Sequence, residues 1–332
     1  MRTGKLDNEL LHRLVLARTG AARQEVLVGS GIGEDCSVLD FGEYECVVST
    51  DPITSPDSRI GTLAVHIACN DVASNGVEPF AVMLTFLFPT SITEEEIGEI
   101  AIQADKTAKK LGVQIIGGHT EVTDAVSQTV ASATAIGRAP KKPRGDHSLL
   151  SPVLPGDLVV VTKNLALEGT AIAAELHAAK LRPSMADTEI ERAKAMLDHI
   201  SVVREGVIAG RLGIAAMHDV TEGGILGAVW ELCARHDVGA EIYAASLPFD
   251  PATLSLCAAL DLDPMRLISS GSMLIFVSGE KWDALSEALS EADIKASVVG
   301  RVAPGGDGLV LVTRNGDREG IAAPGPDELY KI

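Results

Sequence analysis

Apolar residues recur at helical spacing over residues 6–19 (Leu6, Leu10, Leu14, Ala17), which predicts a short helix near the start of the chain. A glycine-rich loop follows, GSGIGED, from Gly29 to Asp35. The runs CSVLDF and YECVVST then alternate or cluster apolar residues like two strands joined by a turn at Gly42. The stretch TLAVHIACNDVASNG has helical period and stops at Gly76, and PFAVMLTFLF reads as a strand. The stretch TEEEIGEIAIQADKTAKKLG reads as a helix, with Thr93 as N-cap and Glu96 three residues on. VQIIGG is expected to be a buried strand running into a loop, GGHTEV. QTVASATAIGRA, with β-branched alternation, closes this half.

The stretch KKPRGDHSLLSPVLPGD, Lys141 to Asp157, has prolines at 143, 152 and 155 and reads as a linker. Beyond it the pattern predicts a strand LVVVT, a helix from Thr170 to Ala179, two helices between Asp187 and Leu212, and a short strand IAAMHD. A glycine-rich turn then enters the helix TEGGILGAVWELCARH, and SMLIFVSG and ASVVGRVA are late strands. The expectation is a two-domain α/β (α+β) protein, divided into residues 1–150 and 151–332. Its 332 residues give each domain room for a core.

Composition narrows this picture. Aromatics are 3% of residues against 46% hydrophobic, so the cores must be aliphatic. A net charge of -18 repels a phosphate backbone and argues against nucleic-acid binding. The same excess makes clustered carboxylates, and hence hard-cation binding, an early expectation. Five dispersed cysteines without CxxC spacing predict a reduced, cytoplasmic protein without a zinc knuckle. No apolar run is long enough to predict a membrane span.

The candidate chemistry lies in four segments: GIGEDCSV (31–38), STDPIT (49–54), Asn70-Asp71, and GGHTEV (117–122). Asp71 follows the apolar run LAVHIAC inside a helix that otherwise reads as buried, and a lone buried carboxylate costs several kcal/mol unless it meets a cation or strong donors. Asp35, Asp51 and Asp71 each admit a plainer reading as turn or cap residues. That reading weakens when the same cost recurs three times. Three dispersed aspartates with glycine loops suit a magnesium nucleoside triphosphate. No GxxxxGK[ST] is present, which excludes a P-loop enzyme.

Taken in order, GEDCSVLD (33–40), STDPIT, NDVASNGVEP (70–79), GGHTEV and HDVTEGGILG (218–227) resemble the AIR synthase-like superfamily over nearly the whole chain. The likeness is greatest to its HypE-like branch. The resemblance implies a homodimer whose N-terminal domains pair through a barrel-like sheet, with a C-terminal α+β domain folding over an ATP site. It implies Asp35, Asp51 and Asp71 as Mg2+ ligands, and Asp51, Asp71, His119 and Asp219 as the catalytic set. It further implies phosphate or substrate contacts from Lys5, Gly33, Thr50, Asn70, Gly117, Gly118, Thr120, Thr221, Gly223 and Gly224. His66, one helical turn before Asn70, either reaches the site or is a satisfied core histidine, His218, before Asp219, is a candidate to orient it, and Lys163 is a second candidate for the phosphates.

Two departures from the family pattern bear on function. His119 stands where many relatives carry an acidic residue, so Glu121 becomes a candidate substitute. No cysteine follows Cys257, so the terminal-cysteine chemistry of HypE is not expected in cis. The expected activity is ATP- and Mg2+-dependent phosphorylation of an amide, carbamoyl or carboxylate oxygen, on a small or protein-borne acceptor. The alternative is a non-catalytic ATP-binding sensor or scaffold of the same fold.

Overall fold

The structure, a computed structural model, describes residue 6 and residues 8–31, 33–54, 59–141, 152–214 and 216–332. Lys5 and most of the expected linker lie outside the described residues. The chain opens with α1 (Asn8–Leu11), which passes into one π turn, His12–Leu16. The helix expected over 6–19 is therefore much shorter. None of its residues is buried, so no tertiary packing extends it.

The N-terminal half contains β1 (Val26–Val28), β2 (Ser37–Phe41), β3 (Tyr44–Ile53), α2 (Ile60–Ser74), β4 (Pro79–Pro89), α3 (Glu94–Leu111), β5 (Gln114–Thr123) and β6 (Val130–Pro140). Among the described residues, its six strands lie in the order β1-β2-β3-β6-β4-β5. The reading of VQIIGG as a buried strand is corrected: β5 is the exposed edge of the sheet, and it continues straight through GGHTEV. Adding a Cβ to Gly118 would bring it 1.7 Å from the Leu84 carbonyl oxygen, so glycine is what lets β5 pair closely with β4. The capping box of α3 forms as expected, with Thr93 Oγ1 accepting the Glu96 N–H and Glu96 Oε2 accepting the Thr93 N–H.

The C-terminal half contains β7 (Leu158–Thr162), α4 (Leu167–Leu176), α5 (Ala178–Leu181), α6 (Asp187–Ala195), α7 (Val203–Arg211), β8 (Met217–Asp219), α8 (Gly224–His236), β9 (Val238–Tyr243), α9 (Pro251–Leu260), β10 (Met273–Val277), α10 (Gly279–Glu291), β11 (Ala296–Pro304), β12 (Leu309–Val312) and β13 (Arg318–Gly320). Its strands run β13-β12-β9-β11-β7-β10-β8. Alternate residues of β7 feed opposite cores, with Val159 and Val161 packing beneath α8 and Val160 beneath α7 and α10. The helix expected from Thr170 begins at Leu167 and ends at Leu176.

Helix α2 joins the halves. It is apolar nearly all round and buried nearly all round, because the N-terminal sheet and α3 cover one side while α7 and β8 cover the other. The approach of α7 is close enough to require glycine: a Cβ on Gly206 would come within 2.1 Å of Ala73 O, and one on Gly210 within 2.2 Å of Gly76 O. This packing carries the end of β8 toward the aspartates of the N-terminal half.

Candidate functional site

Asp71 sits in the last turns of α2, and α2 lies on the sheet face toward which Ser49 and Asp51 of β3 both point. Ser49 Oγ donates to Asp71 Oδ2 at 2.5 Å, and Asp51 shares a hydrogen bond with the Asp71 carboxyl. Asp35, in the loop entering β2, and Asp219, at the end of β8, face the same point. Burial, then the neighbouring Asp219, Asp51 and Asp35, hold the Asp71 carboxyl well above the usual carboxylate range. Four carboxylates from both halves thus converge on one point, with Asp71 the most deeply affected of them.

Asp219 sharpens this point. Its side chain is 0% exposed, and neither carboxylate oxygen accepts a hydrogen bond from any described residue. A buried acceptor left in this state is costly unless a ligand satisfies it. His218 lies beside it, with Nδ1 2.7 Å from the Asp219 carbonyl oxygen, 3.6 Å from Asp35 Oδ2 and 3.8 Å from Asp219 Oδ1. Its Nε2 meets Glu231 Oε2 of α8 at 3.1 Å. Burial works against charging this ring, but Asp35, Asp219 and Glu231 outweigh it and hold its pKa well above the ordinary histidine value. Loop 33–36 is further held from α8 by the Arg235–Glu34 ion pair at 2.7 Å, with Gly33 (φ +77°) packed against the Glu231 carbonyl.

Other expected residues fall elsewhere. Thr50 points to the opposite face of the sheet from Asp51, where it accepts a hydrogen bond from Thr134 Oγ1 at 3.0 Å. Asn70 is fully buried, and both ends of its amide are used: Nδ2 donates to Ile200 O at 2.8 Å and Oδ1 accepts the Val202 N–H at 2.9 Å. It fastens the two halves together through these bonds. Lys163 donates to His199 O and Ser201 O and pairs with Glu205 at 2.7 Å, so it too is committed to that junction.

Gly117, Gly118, His119 and Thr120 lie on the exposed β5 edge. The register runs Asp51–Ala133–Leu84–Gly118 across three strand spacings, about 14 Å. Within one subunit they do not join the aspartates. They line a groove of about 310 Å³ between α3 and β5, and His119 Nε2 meets Glu121 Oε2 at 3.1 Å. Thr221, Gly223 and Gly224 form the turn into α8, where the Gly224 N–H donates to Thr221 O. The Gly223 N–H is taken by Asp327 Oδ2 at 2.8 Å, from a C-terminal segment lying over the turn.

Sequence reasoning missed Ser49, Glu231, Arg235 and Asp327. The period-2 pattern of β3 could have placed Ser49 beside Asp51. The other three are brought in from distant elements, and no local pattern marks them.

Two family models match the chain: AIR synthase related protein, N-terminal domain, over residues 33–139, and AIR synthase related protein, C-terminal domain, over residues 155–312. A putative hydrogenase expression/formation protein of Methanocaldococcus jannaschii is 27% identical over 95% of this chain and 93% of its own length. A carbamoyl dehydratase HypE of Rhodobacter capsulatus is 29% identical over 94% of this chain and 86% of its own. Among solved structures, HypE from a HypE–HypF complex superposes with a TM-score of 0.76 at 22% identity, covering 95% of this chain and 99% of that one. A hydrogenase maturation protein HypE in complex with ATP gives 0.68 at 21% identity, covering 98% and 97%. At these identities the solved structures establish the shared two-domain fold. Among the described residues, no helix is long and apolar enough to cross a membrane.

Proposed function

We propose, for a chain that belongs to the AIR synthase related protein family, an ATP- and Mg2+-dependent enzyme of the HypE-like, hydrogenase-maturation type that phosphorylates an amide, carbamoyl or carboxylate oxygen. The carrying observation is the convergence of Asp35, Asp51, Asp71 and Asp219, with Asp219 buried and its oxygens unsatisfied. That donor set fits hard divalent cations, which favour carboxylate oxygen.

In this reading Asp35, Asp51 and Asp71 hold Mg2+, and Asp219 brings the C-terminal half to the same charge. Held by these carboxylates, Mg2+ would supply the positive charge that offsets the triphosphate and the transferring group. The chain's own residues position and exclude water: Ser49 fixes the rotamer of Asp71, and α2 shields the carboxylates from solvent on one side. The names of the similar proteins, carbamoyl dehydratase HypE and HypE in complex with ATP, support the nucleotide and the carbamoyl class of acceptor. The HypE–HypF complex supports a protein-borne acceptor as one source of that group.

The open face of the N-terminal sheet exposes Phe41, Tyr44, Phe80 and Met83, and the β5 edge exposes Ile116 and Val122. An apolar face beside an unpaired edge suits a homodimer built on the N-terminal sheets. Sedimentation equilibrium of the full chain tests it, and a monomer at micromolar concentration would count against it. Isothermal titration with Mg2+-ATP tests the nucleotide site, with Asp51→Ala/Asp71→Ala as the comparison. No heat of binding by the wild-type chain ends the proposal. Binding without ADP formation on carbamoyl, carboxylate or amide acceptors would favour the non-catalytic alternative, which the exposed position of His119, away from the aspartates, supports.

A further inference from the structure

Helix α8 presents a polar stripe to the N-terminal half. Glu231 and Arg235 lie one turn apart and so share a face of the helix. The Glu231 side chain meets His218, while its backbone carbonyl meets the loop that carries Asp35. A Cβ on Gly33 would lie 3.2 Å from the Glu231 carbonyl oxygen and 3.7 Å from Arg235 Cβ. One residue on, Glu34 Oε2 meets Arg235 Nη2 at 2.7 Å, with the two side chains 22% and 9% exposed. A basic residue in the last turn of a helix is ordinarily explained by the helix dipole, which a solvated side chain serves as well. Arg235 instead withdraws from solvent and reaches across to the other half. The loop itself, with Gly29, Gly31 and Gly33, has little stiffness of its own, so what it packs against sets where Asp35 sits.

We propose that the Glu34–Arg235 ion pair is the device by which the C-terminal half holds Asp35 in place and so sets the affinity of the nucleotide site. Glu34 and Arg235 are positioning residues, acting through Asp35 rather than on the nucleotide. Glu34 directly precedes Asp35, and the planar peptide between them passes any shift of the pair straight to the Asp35 backbone. Both charges are largely withdrawn from water, so removing one leaves the other uncompensated, and the loop moves to rehydrate it. Helix α8 starts at the Thr221–Gly224 turn, just after Asp219, and ends at Arg235 and His236. One rigid element therefore fixes the distance between the Asp35 loop and the C-terminal side of the site. The inference rests on the proposed Mg2+-ATP site and adds to it two residues from outside its carboxylates.

The test is a double-mutant cycle on the full chain, read by calorimetric titration with Mg2+-ATP. Arg235→Gln and Glu34→Gln should each weaken binding by about 10- to 100-fold, the usual cost of losing a group that orients a metal ligand. The double variant should be no weaker than either single one, because both remove the same contact. Unchanged affinity in Arg235→Gln, or losses that simply add, overturns the proposal. A purely structural pair would lower the unfolding midpoint while leaving the affinity of the folded chain intact, and that result overturns it too. Hydrogen exchange on the ion-free wild-type chain needs no variant. The amides of Glu34, Asp35 and Cys36 should be protected together with the last turn of α8, and exchange as fast as in unstructured chain defeats the latch. A protected loop in a wild-type chain that binds no Mg2+-ATP defeats the nucleotide reading instead.

Discussion

Asn70 grips the backbone of the opposite half of the molecule, its Oδ1 accepting the Val202 N–H at 2.9 Å while its Nδ2 donates to Ile200 O. Both bonds are buried, so truncation leaves two backbone groups unpaired in the interior. Asn70→Ala should lower stability by about 3 kcal/mol, at about 1–3 kcal/mol for each group left unsatisfied. Urea unfolding measures it, and a midpoint equal to that of the wild type would show that the latch is not energetically coupled.

Asp71 combines burial with three facing carboxylates, an arrangement that disfavours the ion-free folded state near neutral pH. Asp71→Asn keeps an acceptor for Ser49 Oγ and removes one of the crowded acids. The ion-free variant should be more stable by about 1–2 kcal/mol, while Mg2+-ATP binding weakens by tenfold or more. Thermal unfolding without ions, paired with calorimetric titration, reads both. A drop in stability would mean that the charge is compensated in some other way.

Gly206 lies where α7 meets α2, and an added methyl would sit 2.1 Å from Ala73 O. Backbone on both sides leaves little room to yield. Gly206→Ala should cost about 3 kcal/mol through overpacking, even though alanine favours the helix locally. Chemical denaturation decides the sign, since a stabilised variant would show that propensity outweighs the contact.

His66 is buried on α2, and burial first, with Lys110 and Lys163 adding to it, pushes its pKa down to about 3. Its unfolded value is near 6.5, so between these values the unfolded state binds the extra proton. The associated stability is complete above about pH 6.5 and declines as pH falls toward 3, by about 5 kcal/mol in all. Unfolding free energies from pH 7 to 4 should fall more steeply for the wild type than for His66→Phe. Parallel pH profiles would show that His66 titrates normally in the folded chain.

Much of the architecture was legible because it is local. The apolar runs placed β2, β4 and β6 to within two residues, while β3 runs on to Ile53, three residues past its expected end at Thr50, and Thr93 with Glu96 marked the start of α3. The all-apolar run around Cys69 identified α2 as a helix buried on every side, and hence made Asp71 conspicuous. Less was legible where a neighbour decides the outcome. VQIIGG is apolar enough for a central strand, yet it lies at the sheet edge because no further strand of the described chain pairs with it.

By itself the sequence determined the two-domain α/β pattern, the family order of motifs and the aspartates at its centre, since period, capping and motif order are properties of adjacent residues. Tertiary structure alone decided which of those motifs share a site. It turned Asn70 and Lys163 into fasteners between the halves, set Thr50 on the other face of the sheet from Asp51, and kept His119 on a distant edge. It also brought His218, Asp219 and Glu231 to Asp35. The physical reason is that strand alternation and the packing of α7 against α2 fix the direction in which each side chain points, and that packing joins residues more than a hundred positions apart.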